Sequence, residues 1–498
     1  MRQHTLKIVD GEISHPLMRL NKTLNFHFDF DEHIAIIGPN GAGKSILVDV
    51  LLGKYPLKKG TIKYDFTPSA STAIYENIQY LEFRDGYGMA DSSYYYQQRW
   101  NSWDCDAYPT VEGFLGDQIN HLHNQAVINL FQLKALFSKK MLFLSSGELR
   151  KVQLAKALLK DPRILILDNL LIGLDVKTRV VLLELLNRLS ETSDLQIIMV
   201  LPTGEEIPSF ITHVLPVKNK IVGDKLLVDD YRLSDEAITL DAINRIPSKI
   251  KSLAKNVQEE ASLRDNTRDT RDEIVRLNKV SLAYNGIQIL KEIDWVVHRG
   301  DKWKLTGENG SGKSALLSLI YADNPQSYAK DIFLFGRKRG TGESIWDIKS
   351  RMGYLSPEMH RSYLKNSPVI EIVASGLHDS LGLYKKTTIE QQESCLFWLD
   401  VLQISHLKEQ SFLRLSSGEQ RLALLARAFV KNPELLILDE PFHGLDRRYT
   451  QMVRQLIESF CDLPNKTLIM VSHYDSDFPK SMTHSMYLSK LNYTQKEL

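Results

Sequence analysis

Two octapeptides of the form Gly-x-x-x-x-Gly-Lys-Ser carry recognisable chemistry, GPNGAGKS at 38–45 and GENGSGKS at 307–314. Glycines at this spacing let successive backbone N–H groups wrap phosphate oxygens at the start of a helix, where the helix dipole also favours negative charge. The wrapping residues are Gly38, Asn40, Gly41 and Gly43 in the first loop, and Gly307, Asn309, Gly310 and Gly312 in the second. Lys44 and Lys313 follow, placed to neutralise β- and γ-phosphates, and Ser45 and Ser314 carry hydroxyls placed to ligate Mg2+. Further along, ILILDN (164–169) and LLILDE (435–440) bring Asp168 and Asp439, carboxylates suited to the Mg2+ shell. The pattern predicts a nucleoside triphosphate bound with its metal.

The two sets differ where water would be activated. Glu440 follows Asp439, a carboxylate placed to polarise an attacking water, whereas Asn169 follows Asp168 with an amide that cannot accept the proton. His473, in MVSH, falls where an imidazole can reach a γ-phosphate; the matching position holds Pro202, in MVLP, which can neither donate nor accept through its side chain. Two readings of the first set stay open, drift in a redundant copy and retention of a site that binds without splitting. Neither makes it hydrolytic.

These residues need strands and helices to hold them, and the chain supplies the elements twice. The Gly-rich loops are offset by 269 (307 − 38), while the paired LSSGE, the acidic strands and the IGLD/HGLD segments are offset by 271 (415 − 144). Four motifs in one order mark an internal duplication. HIAIIG and KWKLTG read as strands entering the loops, ILVDVLLG and ALLSLIYA as helices leaving them. ILILD and LLILD are continuous apolar runs of the kind buried in parallel sheets. The expected fold is α/β, two tandem P-loop domains, each a mostly parallel sheet core with an inserted helical subdomain. The boundaries are placed at 1–228 and 274–498, with a charged linker over 229–273. Between 246 and 273 the linker balances six basic against six acidic residues, which predicts a solvated, partly helical segment and not an arm for nucleic acid.

Bulk properties agree with a globular protein. The 498 residues are 43% hydrophobic and 25% charged, and 62 basic against 61 acidic residues leave a net charge of +1, with no general grip on nucleic acid or anionic membrane. Cys105, Cys395 and Cys461 have no metal-ligand or disulfide spacing and read as buried free thiols. The opening MRQHTLKIVDGEISHP lacks a signal-peptide core, and no stretch approaches the ~20 apolar residues of a membrane span. A cytoplasmic location is expected, at most peripheral on the cytoplasmic face of the inner membrane.

At LSSGE the chain resembles the ABC ATPases, whose signature motif stands between the P-loop and the acidic strand. The GLD segments resemble their D-loop, and His473 their switch histidine. The resemblance implies ATP and Mg2+ as cofactors and two cassettes paired head to tail within the chain. It then implies one composite site of Gly307–Ser314, Asp439, Glu440 and His473 facing Ser145, Ser146 and Gly147. The other would join Gly38–Ser45, Asp168 and Asn169 to Ser416, Ser417 and Gly418. Both signatures depart from LSGGQ by a serine and a glutamate. Tyr284 stands where the family stacks an aromatic on adenine; the matching His15 offers no such aromatic. The Q-loop glutamine is replaced by Pro357 and Phe83, and an aromatic insert over 84–110 offers Gln97 or Gln98, with a docking role and a small core of its own both open.

Residues 321–363, GTGESIWDIK above all, resemble the tandem ATP-binding proteins associated with bacterial molybdate transport, the ModF type. This implies an ATPase acting as the cytoplasmic component of a transporter, with an integral-membrane permease as partner. Two alternatives remain: a soluble regulatory or binding ABC protein, and a ribosome-associated one, against which Asn169 and the balanced linker argue.

Overall fold

The computed structural model describes residues 4–82, 109–233 and 273–497, apart from 16–17, 68, 70, 122–123, 142–143, 145, 172–173, 175, 203–206, 285–286, 309, 358, 360–362, 364–365, 381 and 384. They fall into two compact units. Most of the aromatic insert, with Gln97, Gln98 and Cys105, and most of the expected linker lie outside the described residues. The first residues of that linker belong to a short helix, Val228–Leu233.

In the first unit the central sheet runs, strand by strand, Leu226–Leu227, His213–Lys218, Ile34–Gly38, Gln196–Pro202, Ile164–Asp168 and Ile78–Glu82. The last five are parallel to one another, and Leu226–Leu227 is antiparallel to His213–Lys218. Ile164–Asp168 is buried at every position, as a strand covered on both faces requires. Helices Val111–Leu115, Gln125–Leu130 and Ser146–Leu158 are inserted before it.

The second unit repeats the plan. Its sheet runs Met352–Leu355, Leu435–Asp439, Thr467–Val471, Lys302–Gly307, His484–Ser489 and Asn492–Glu497, parallel except for the last strand. Helices Val369–Ser375, Ile389–Val401 and Ser417–Phe429 form the insertion. Both units are therefore α/β P-loop cores with inserted helices.

Each unit also carries an antiparallel sheet that the motif reading had not separated. The first contains Leu24–Asp29, His4–Ile13 and Leu57–Tyr64, the second Ile287–His298, Glu273–Tyr284, Ile332–Leu334 and Arg337–Lys338. The alternation of buried and exposed residues in Leu24–Phe28 is the pattern of a sheet with one face on the core. These sheets brace the loop-bearing strands from outside. The helix Lys313–Ile320 anchors from within through buried Leu316, Leu317, Leu319 and Ile320, each such side chain contributing ~1.5–3 kcal/mol.

Candidate nucleotide sites

The parallel order decides where chemistry can occur. In the second unit Thr467–Val471 lies between the strand that feeds the Gly-rich loop and the strand that ends at Asp439. The loop, Glu440 and His473 all follow the carboxyl ends of three neighbouring strands, the usual place for a ligand in an open α/β sheet.

Gly307 must be glycine on contact grounds: a Cβ there would lie 2.1 Å from the Leu488 carbonyl oxygen. Gly38 is constrained in the same way by Val217, at 2.0 Å. Gly312 and Gly43 are the left-handed N-caps of the helices Lys313–Ile320 and Lys44–Leu51, and neither helix start has a side-chain cap. A helix start of this kind presents its first N–H groups towards the loop, the arrangement that suits an anion. Lys313 Nζ donates to the carbonyls of Gly307 (2.8 Å) and Glu308 (2.9 Å), and Lys44 Nζ to those of Gly38 (2.6 Å) and Pro39 (3.0 Å). Both ammonium groups rest over the loop they would help a phosphate fill.

Ser314 Oγ donates to Asp439 Oδ2 at 3.1 Å. Two adjoining hard oxygens suit Mg2+, which is typically held by one or two carboxylates plus substrate phosphates and water. No larger cluster of His, Cys, Asp and Glu suited to a metal occurs among the described residues.

Glu440 Oε1 lies 3.6 Å from His473 Nε2, with 19% of the glutamate side chain exposed. Burial, then the neighbouring Asp439 charge, push its carboxyl up from 4.5 to about 8, against the pull of Arg421 and Lys313. Its backbone is left-handed, φ 52°. That conformation is uncommon outside glycine and several-fold more accessible to asparagine. Asn169 occupies the same conformation, φ 59°. The first unit thus keeps the backbone and places there the residue it suits, while the second keeps the carboxylate in a conformation that costs it energy.

Arg421 was not among the residues singled out from sequence. Its fully buried guanidinium donates to the Asp439 carbonyl at 2.8 Å and to the Glu440 carbonyl, holding the turn that carries the carboxylate. The signal was available, because LSSGEQR and LSSGELR place Arg421 and Arg150 at one offset. Tyr80 was missed as well: its hydroxyl donates to Asp168 Oδ2 at 3.2 Å.

Of the signature residues, Ser416 caps the helix Ser417–Phe429 and shares a capping box with Glu419, donating to Glu419 Oε2 at 2.7 Å. Here the serine hydroxyl is used within its own helix. Gly147 is buried, and a Cβ on it would meet Thr178 Cγ2 at 2.5 Å. Ser145, Asn309 and the side chains of Ser146 and Tyr284 lie outside the described residues. Pro202 pairs with Gly38 across the parallel ladder. His15, which matches Tyr284 in spacing, places its ring 5.3 Å from that of Tyr55 at 50°.

The ABC transporter family model matches residues 21–171 and 290–443, one match over each loop, signature and acidic strand. The chain belongs to the ABC transporter family. It is 34% identical to the ABC transporter ATP-binding protein ModF of Escherichia coli (strain K12) over 462 residues, covering 91% of this chain and 90% of that one. An uncharacterized ABC transporter ATP-binding protein of Schizosaccharomyces pombe is 29% identical, with 94% of each covered. ATP-binding protein Uup of Buchnera aphidicola is 25% identical over 98% of this chain and 80% of its own. Among solved structures, the complex of an archaeal ribosome recycling factor with a ribosomal stalk protein matches with a TM-score of 0.51 at 17% identity, over 96% of this chain and 87% of that one. That last likeness is one of fold. As an ABC family member, this chain is a tandem ATP-binding protein, and among its described residues no helix is long and apolar enough to cross a membrane.

Proposed function

We propose that this protein hydrolyses MgATP at a single centre built on Glu440 and His473, while its first cassette binds ATP without splitting it, and that this turnover drives a separate membrane permease. The observation that carries the reading is the matched pair at 440 and 169: one left-handed backbone, a carboxylate in one unit and an amide in the other. A general base needs an acceptor for the water proton, and only the second unit supplies one at this place. Asp439 with Ser314, and Asp168 with Ser45, are the proposed Mg2+ ligands. Bound Mg2+ would neutralise phosphate charge, while Lys313 and the loop N–H groups orient the γ-phosphate and Glu440 takes the water proton.

The head-to-tail pairing of the family supports a composite hydrolytic site, with Ser145, Ser146 and Gly147 serving Gly307–Ser314, and Ser416, Ser417 and Gly418 serving Gly38–Ser45. Steady-state ATPase measurements test this. Ser145→Arg is expected to lower turnover as severely as Lys313→Ala, and Ser416→Arg less; a more damaging Ser416→Arg refutes the pairing.

The partner is tested by capture from membranes with Glu440→Gln and ATP. Co-purification of an integral membrane protein supports the permease reading, and cargo assays with molybdate then test the substrate implied by residues 321–363. Sedimentation with ribosomes, or no partner at all, counts against it.

A further inference from the structure

The two acidic strands end in the same residue type but in different company. Tyr80 stands opposite Ile166 and Tyr354 opposite Ile437, each two positions before the metal-ligand aspartate, so the two tyrosines occupy one register. In the second unit the Tyr354 ring stacks on Tyr321, centroids 4.2 Å apart at 22°, and Asp439 accepts from Ser314. At the 269 offset the counterpart of Tyr321 is Leu52, which presents no ring face. There the Tyr80 hydroxyl donates to Asp168 Oδ2, while the Lys54 ammonium lies 5.3 Å from the centroid of the same ring and pairs with Asp49 at 2.7 Å.

A phenol is a hydrogen-bond donor at neutral pH, and a carboxylate oxygen that accepts it offers less charge and fewer lone-pair directions to a cation. Mg2+ is sensitive to such a loss, since it demands near-ideal octahedral oxygens and commonly relies on one or two carboxylates. Asp168 is the carboxylate that the sequence offers at this strand end, as Asn169 follows it. We infer that the first cassette is a nucleotide site with a weakened need for Mg2+, because the Tyr80 hydroxyl donates to one oxygen of the carboxylate that would hold the ion. Phosphate charge is met there chiefly by Lys44 and the loop N–H groups. The inference rests on the proposal that the first P-loop binds ATP. It is consistent with the loss of Glu440 and His473 equivalents, since a site that performs no hydrolysis does not need a precisely held metal.

The test uses the full chain in two backgrounds, Lys313→Ala to isolate the first loop and Lys44→Ala to isolate the second. Binding of a fluorescent ATP analogue is measured in excess Mg2+ and in chelator. The first loop is expected to lose less than about threefold in affinity on chelation and the second about tenfold or more, the span of one charge-assisted hydrogen bond. Tyr80→Phe keeps the ring against Lys54 and removes only the hydroxyl. In the Lys313→Ala background it should tighten Mn2+ binding in the presence of nucleotide about fivefold or more, read by electron paramagnetic resonance. Equal chelator sensitivity of the two loops, or unchanged Mn2+ affinity in Tyr80→Phe, overturns the inference and leaves nucleotide binding at the first loop standing. Failure of Lys313→Ala to bind the analogue with or without metal overturns both.

Discussion

Glu440→Gln should stop turnover and at the same time make the nucleotide-free protein more stable. The carboxyl is lifted from 4.5 to about 8 by burial and by Asp439. At about 1.4 kcal/mol per tenfold change in proton affinity, keeping that group inside the fold costs at most about 5 kcal/mol when it is fully charged. The replacing amide must itself be accommodated, and an unpaired buried amide group costs ~1–3 kcal/mol. A net gain of about 2 kcal/mol is left, or roughly 4–8 °C in the melting of a unit of this size. The pH course follows from the sign. A carboxyl raised in the folded state binds more protons there than in the unfolded chain, so wild-type stability falls as pH rises from about 4.5 to 8. The amide does not titrate. The variant should therefore melt below wild type under about pH 4.5 by the cost of the amide, overtake it as pH rises, and run parallel to it above about 8. Thermal melts of the second unit's transition across this range, paired with phosphate-release assays, read both effects. Loss of the proposed general base should lower turnover about 100-fold or more. A pH-independent difference in melting, or activity above about a tenth of wild type, would refute the reasoning.

Asn169→Glu should raise total turnover less than about twofold, because Pro202 still replaces the histidine, and should cost ~1 kcal/mol through the left-handed backbone at φ 59°; turnover and denaturant melts check the two parts. Gly307→Ala should abolish nucleotide binding at the second loop and destabilise its unit by more than ~2 kcal/mol, since the new methyl would sit 2.1 Å from the Leu488 carbonyl; calorimetric binding and melting measure it. Cys395, buried and with its thiol pushed up to about 11 by burial, should resist a thiol reagent at neutral pH until the second unit unfolds, which labelling against denaturant concentration will show.

The proposed division of labour between the two loops rests on residue identity at fixed spacing, which a sequence shows directly. Asn169 against Glu440 and Pro202 against His473 need no coordinates. The duplicated α/β core was legible for the same reason, its strands being continuous apolar runs between repeated motifs. What escaped lies in contacts across the sheet. Tyr80 reaches Asp168 only because its strand pairs with Ile164–Asp168 in one register, and a one-residue slip would turn its ring to the opposite face. The left-handed backbone at Glu440 leaves no mark on a residue that seldom adopts it. The Ser416–Glu419 capping box is written in the sequence as Ser-x-x-Glu, but it coincides there with the signature motif.

The guanidinium of Arg421 sits one turn into the helix that begins at Ser417, and its far end grips the carbonyls of Asp439 and Glu440. The start of the signature helix and the catalytic carboxylate are thereby two arms of one lever. One buried side chain thus ties the first turn of that helix to the turn that carries Glu440, so the position of either constrains the other. The first cassette keeps Arg150 at the matching position, with Asn169 in place of Glu440.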